Sequence, residues 1–440
     1  MVWFVIGYLF LFVFRPFEYW PVLATIRIER VYMLFLMTAV FLWRHRKHKP
    51  HPVNSTLFAF FSAMLLSSLF AFRMQEAYWA SFDYFKLIVF YYIIVLTLND
   101  EEQMKKFIIA YLAVMFLYVG KSAWEFFVND RHMWRMGLRR MIGIDTTYGD
   151  PNSFAASIAY SLPFLWAMLK QKSLSFMTRK MLWAYGILAG TCIVFTGSRS
   201  GMVTALLFLF LVLFGASRKV LGVTLVLVML AFTWNYMPEE YQVRFKSIFV
   251  KGIAPKGADA SAEGRIGGLK QGIHLFGKYP LLGIGPGNFK YGWETMPVGG
   301  SAHNLYGELL GELGGVGFLA FLFLVGVIIK THRGITRETG LRLSGLPPDA
   351  PPGEKERLLF LRYVSVASVQ ALVLLLFNGN FGHNLYRYNW LWIGALGVLS
   401  AWFLQRKADR KSAVPLFAPG IRPGTPTGTP MKKAPGRKAL

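Results

Sequence analysis

The chain has 440 residues, 54% hydrophobic and 16% charged, with a mean hydropathy of +0.40. Soluble domains run at about 25% charged, so a protein that is water-soluble throughout is excluded. A nucleic-acid binder is excluded as well, despite the formal charge of +25, because such proteins carry charge on a polar surface rather than between apolar runs. A polytopic membrane protein with basic loops fits both numbers. The single cysteine, Cys192, rules out an intramolecular disulfide and a cysteine-based metal site, and its apolar neighbours mark it as a small buried hydrophobe.

A spanning helix needs about 20 apolar residues, within a range of about 17–25. Candidate stretches lie at 2–14, 28–43, 56–72, 79–97, 106–127, 153–169, 181–196, 199–215, 219–234, 313–330, 358–377 and 388–404. The first lacks a basic n-region and a small-residue cleavage site, so it is expected to stay in the membrane. The first two are short and broken by Arg15-Pro16, Pro21, Arg27 and Arg30. Lys86 interrupts the fourth stretch with Asp83 one turn before it, and such a pair costs less in lipid than a lone charge. Lys121 interrupts the fifth.

Short-loop charge sets the orientation. Arg44, Arg46, Lys47 and Lys49 share one loop, and Lys170, Lys172, Arg179 and Lys180 share another on the same side. The positive-inside rule then places both termini in the cytoplasm and the long loops at 128–152 and 235–303 outside. Within the second loop, Ile266, Leu269, Ile273, Leu275 and Phe276 predict short helices lying against the bundle. Segment 338–357 reads as a Pro-rich linker, and the Pro-, Gly- and Lys-rich C-terminus as disordered. The predicted fold is all-α. It is a polytopic transmembrane helix bundle of about 12 spans over residues 1–405, with a large, partly helical periplasmic loop at 235–303 and a disordered basic cytoplasmic tail at 406–440.

Phosphate-loop, dinucleotide, HExxH and GxSxG patterns are absent, and Gly283-Ile284-Gly285-Pro286-Gly287 reads as a tight turn. No cytoplasmic loop is large enough for a nucleotide-sugar or ATP. Chemistry-bearing residues gather at the outer boundary instead. Arg199 sits in the short hairpin Thr196-Gly197-Ser198-Arg199-Ser200-Gly201, and Arg265 is flanked by glycines in Glu263-Gly264-Arg265-Ile266-Gly267-Gly268. Guanidinium groups grip phosphate oxygens in bidentate fashion and stay charged, although an interfacial arginine also snorkels without any such role. His303 precedes the tenth span; imidazole can take a proton from an attacking hydroxyl, or simply hold a structural hydrogen bond. Glu308 and Glu312, at i and i+4, orient partners or line a polar face.

The tetrapeptide His303-Asn304-Leu305-Tyr306 returns as His383-Asn384-Leu385-Tyr386, which puts both histidines on one side. Candidate substrate contacts are Lys121, Arg139 (with Arg140), Asp150, Asn152, Asn304, Tyr306 and His383. Asp150-Pro151-Asn152 also reads as a helix-capping turn. No His/Asp/Glu cluster has metal-ligand spacing, so no metal is expected.

TGSRSG, the EGR segment, GIGPGNF and HNLYGELLGELGGVGF, in that order around a long outer loop, resemble the O-antigen ligase family of bacterial membrane glycosyltransferases. The resemblance spans roughly 130–400 and is strongest from Thr196 to Phe318. It implies an inverting transferase in the bacterial inner membrane, with no cofactor and a periplasmic active site. The donor would be an undecaprenyl-diphosphate-linked glycan, and the acceptor a hydroxyl of a glycan, lipid A-core or other molecule. Arg199 and Arg265 would hold the diphosphate and His303 would be the base, while Asp150 and Asn152 match a site-lining element. A polymerase that uses a second lipid-linked glycan as acceptor shares these features. A lipid-linked saccharide transporter would place polar groups through the middle of its spans, whereas here they sit at the outer edge.

Overall fold

The computed structural model describes residues 1–45, 47–135, 137–145, 149–215, 219–248, 250, 258–293, 300 and 302–412. The N-terminal part contains α1 (Val2–Phe14), α2 (Pro21–Thr25), α3 (Ile28–Leu42), α4 (Pro52–Ser68), α5 (Met74–Thr97) and α6 (Glu101–Phe127). Strands β1 (Met133–Arg135) and β2 (Leu138–Arg140) form an antiparallel hairpin with Trp134 opposite Arg139. Then follow α7 (Pro151–Leu169), α8 (Phe176–Phe195), α9 (Arg199–Phe214), α10 (Lys219–Tyr236), α11 (Glu239–Lys246), α12 (Ala258–Lys278), α13 (Leu305–Ser344), α14 (Pro352–Asn378) and α15 (Asn389–Ser412).

A helix meets each of the twelve apolar stretches. Among the described residues, α5, α6, α13 and α14 are long and apolar enough to cross a membrane, and α1, α4, α9 and α10 are shorter apolar helices. Helix ends differ from the apolar boundaries because hydropathy marks the stretch that suits lipid, while backbone hydrogen bonding continues through polar turns. Thus α13 begins at Leu305 rather than 313 and runs on to Ser344, leaving only 345–351 as the Pro-rich connection to α14. Likewise α15 extends to Ser412, and 413–440 of the expected tail lie outside the described residues. Within α5 the Lys86 Nζ and Asp83 Oδ1 are paired at 2.7 Å, as the spacing predicts.

The centre of the bundle is α13, packed against α4, α12 and α14, with α14 also lying against α7. The contact between α12 and α13 is a seam of main chain. Gly268 abuts the Ala302 carbonyl and Gly272 abuts Gly307, too closely for any Cβ to intervene. Sequence patterning expects Ile266 and Ile273 to face the bundle, yet both are exposed, and the buried face of α12 is Gly268, Gly272 and Leu275. Backbone proximity has replaced side-chain burial here.

Gly314 breaks α13 with φ 61° and ψ −161°. At this break the 283–289 turn packs against the helix. Ile284 and Gly285 N–H donate to the Gly311 and Glu312 carbonyls, and Gly287 and Phe289 N–H donate to the Glu312 carboxylate at 2.8 and 2.9 Å. Tyr386 supplies that carboxylate with a hydroxyl at 2.6 Å. A Cβ at position 314 would stand 2.6 Å from the Gly283 nitrogen, in a backbone conformation that L-residues avoid. Gly314→Ala is therefore expected to cost about 2–4 kcal/mol from backbone strain and overpacking. A thermal unfolding scan in detergent would read this as a clearly lowered midpoint.

Candidate active site

The site is built on the turn between α8 and α9. Gly197 takes φ 56°, and a side chain there would collide with Leu138 at 2.9 Å, so the turn's carbonyls lie open to its neighbours. Two arginines close on them: Arg140 Nε donates to the Thr196 carbonyl at 2.8 Å, and Arg244 Nε to the Gly197 carbonyl at 2.6 Å. Strand alternation decides which arginine of β2 does this, turning Arg140 inward and Arg139 outward. Ser198 caps α9 by accepting the Gly201 N–H and donates to Asn152 Oδ1 at 2.9 Å. Asn152 Oδ1 also accepts from Arg140 Nη2 at 3.0 Å, and Asp150 caps α7 through the N–H groups of Asn152 and Ser153. Arg199, half-buried, reaches Ser247 Oγ at 3.4 Å.

The α12–α13 seam brings in the second half. Arg265 lies one turn before Gly268, and His303 follows the Ala302 that Gly268 touches. Arg265 is half-buried over the Phe381 ring at 5.5 Å. His303 adopts φ 46°, and Asn304 after it caps α13 by accepting the Tyr306 and Gly307 N–H groups. The echoed tetrapeptides meet, with the His303 and His383 rings 5.6 Å apart between centroids. The N-termini of α7, α9 and α13 thus open toward one region, and each adds partial positive charge.

Electrostatics tie the region together. Burial, then the charges of Arg140, Arg199, Arg265 and Arg135, pull the Arg244 guanidinium down to about 9. Burial pulls Arg140 down to about 10, with Asp150 acting in the opposite sense. Arg265 is lowered by burial and Arg199. All three stay protonated at neutral pH. A group of guanidiniums that push each other's protons off, with Asp150 as partial offset, is a site that gains from a bound polyanion. His303 is held below the ordinary imidazole range by burial and by Arg265, and His383 by burial, Arg387 and His303. Both rings are therefore neutral at pH 7 and able to accept a proton.

Arg199, Arg265, His303, His383, Asp150 and Asn152 are thus brought together. Lys121 and Arg139 are placed otherwise: Lys121 pairs with Glu125 along α6, and Arg139 pairs with Asp130 over the Phe126 ring. Asn304 is engaged as a helix cap, and Tyr306 donates its hydroxyl to the Leu376 carbonyl at 3.0 Å. Sequence reasoning passed over Arg244. The available signal was its position on the apolar face of α11 with Tyr241 and Phe245, at i, i+3 and i+4, where a solvated arginine does not belong.

Residues 184–322 match the family model described as O-antigen ligase. The chain carries an O-antigen ligase family domain. No curated protein matches the chain. With several long apolar helices beside this domain, it is a multi-pass membrane protein. The O-antigen ligase segment holds Arg199, Arg244, Arg265 and His303, whereas Arg140, Asp150, Asn152 and His383 reach the same region from outside it.

Proposed function

We propose that this protein is a membrane glycosyltransferase that moves a glycan from an undecaprenyl-diphosphate carrier to an acceptor hydroxyl at the periplasmic face of the bacterial inner membrane. The observation that carries this reading is the convergence of Arg140, Arg199, Arg244 and Arg265 in one electrostatically coupled group, with Arg265 acting on a neutral His303. His303 takes the proton of the acceptor hydroxyl, and the acceptor oxygen attacks the anomeric carbon from the face opposite the diphosphate. The bond from that carbon to the diphosphate oxygen breaks with inversion. Arg199 and Arg265 hold the departing diphosphate, where fixed positive charge is worth most as negative charge builds. Arg140 and Arg244, anchored to the carbonyls of the 196–198 turn, complete the positive wall.

The family description supports the ligase reading, and the diphosphate half of the site serves a polymerase equally well. The test is transfer by purified protein in lipid, from an undecaprenyl-diphosphate glycan, with EDTA present and no nucleotide. Product of inverted anomeric configuration, seen by NMR, is expected. Dependence on nucleotide or metal, or retained configuration, would overturn the reading.

A further inference from the structure

We propose that the cavity beside the histidine pair is the acceptor subsite, and that it takes an uncharged saccharide whose hydroxyls bind the Glu308 carboxylate. This deepens the transferase reading and rests on it. The cavity encloses about 450 Å³ among α1, α5 and the 383–388 segment, inside the range of about 300–1,000 Å³ usual for small-molecule sites. His383 lines it, so the cavity adjoins His303 while none of the four arginines of the diphosphate wall borders it. An acceptor held here presents a hydroxyl to the base from outside the donor's ground.

Two features identify the class of occupant. The first is Glu308, which is 9% exposed and lines the cavity. One of its oxygens accepts the Leu385 N–H, and its Oε2 has no hydrogen-bond partner among the described residues. Leaving a buried acceptor unmet costs about 1–3 kcal/mol, more for a charged one. A ligand hydroxyl, which both donates and accepts, removes that cost. The second is charge balance. Arg15 is paired with Glu18 at 2.8 Å, Lys86 with Asp83 at 2.7 Å, and Tyr8 donates to Glu29 at 3.5 Å. With Arg387 acting on Glu308, the lining holds three basic groups (Arg15, Lys86, Arg387) against three acidic ones (Glu29, Asp83, Glu308), and so lacks the cationic surplus found on the arginine side. Tyr8, Phe12, Tyr84 and Tyr388 add aromatic surface for the apolar faces of sugar rings.

The test measures binding and transfer separately, with a panel of neutral hexose disaccharides and their 6-phosphates as acceptors. Titration calorimetry on wild-type protein is expected to favour the neutral members. Glu308→Gln, which keeps shape but replaces the carboxyl by an amide, should weaken their binding at least tenfold with affinity for the lipid-diphosphate donor unchanged. Leu87→Trp narrows the cavity from a half-buried wall position and should do the same should Glu308→Gln fail to fold. Phosphorylated acceptors binding better, or neither variant altering acceptor binding, would sink the inference. Glu308-dependent binding without any transfer by wild type would leave the subsite standing and overturn the transferase reading. Transfer by wild type with unchanged acceptor KM in both variants would do the reverse.

Discussion

His303→Asn is expected to abolish glycan transfer, lowering the rate by about 10²–10⁴-fold, the usual contribution of a positioned general base. Asparagine is the substitution of choice because it tolerates the left-handed backbone that position 303 adopts at φ 46°. Its effect is then chemical rather than conformational. Donor affinity, read with a labelled lipid-diphosphate glycan, should change little, because the diphosphate is assigned to the arginines. A variant that binds donor and transfers at the wild-type rate would remove His303 from the mechanism. His383, 5.6 Å away and also held neutral, would then be the next base to test.

Arg265→Gln is expected to weaken donor binding by about 10–100-fold, the equivalent of about 1.5–3 kcal/mol for a charge-assisted hydrogen bond. A second readout separates this from a loss of folding. Arg265 is the leading charge that holds the His303 imidazole below its ordinary value of 6.5. The base works only when neutral, so the wild-type rate should fall with acid only below pH 6.5. Removing the neighbouring charge lets the imidazole rise, and the acid limb should move to higher pH. A pH–rate profile at saturating donor checks the sign. A limb that stays put, or moves to lower pH, would show that Arg265 does not face the base.

The helical fold was legible because lipid imposes long apolar runs, and each of those runs is a helix in the structure. The α12–α13 seam was not, since Gly268 and Gly272 carry no hydrophobic signal and patterning pointed to Ile266 and Ile273 instead. At the site, Arg199, Arg265 and His303 stood out through short motifs flanked by small residues, and the repeated tetrapeptide placed His383 on the same side. The pairing of Arg139 with Asp130 and of Lys121 with Glu125 depends on which way a strand and a helix face, which spacing alone did not fix. Arg244 was marked only by sharing a helix face with Tyr241 and Phe245, and its role shows only in tertiary contact, because its partner is a backbone carbonyl 47 residues away.

The glycine seam has a mechanical consequence. A joint made of main chain has no rotamers to change, so the segment bearing Arg265 and the one bearing His303 move as one body. In the proposed mechanism Arg265 and His303 then form a jaw of fixed gape, its spacing built into the chain rather than found on binding. Room for a bulky polyprenyl donor must then come from the opposite jaw, where the hydrogen bond from Arg199 to Ser247 between α9 and the residue after α11 is a long one, at 3.4 Å.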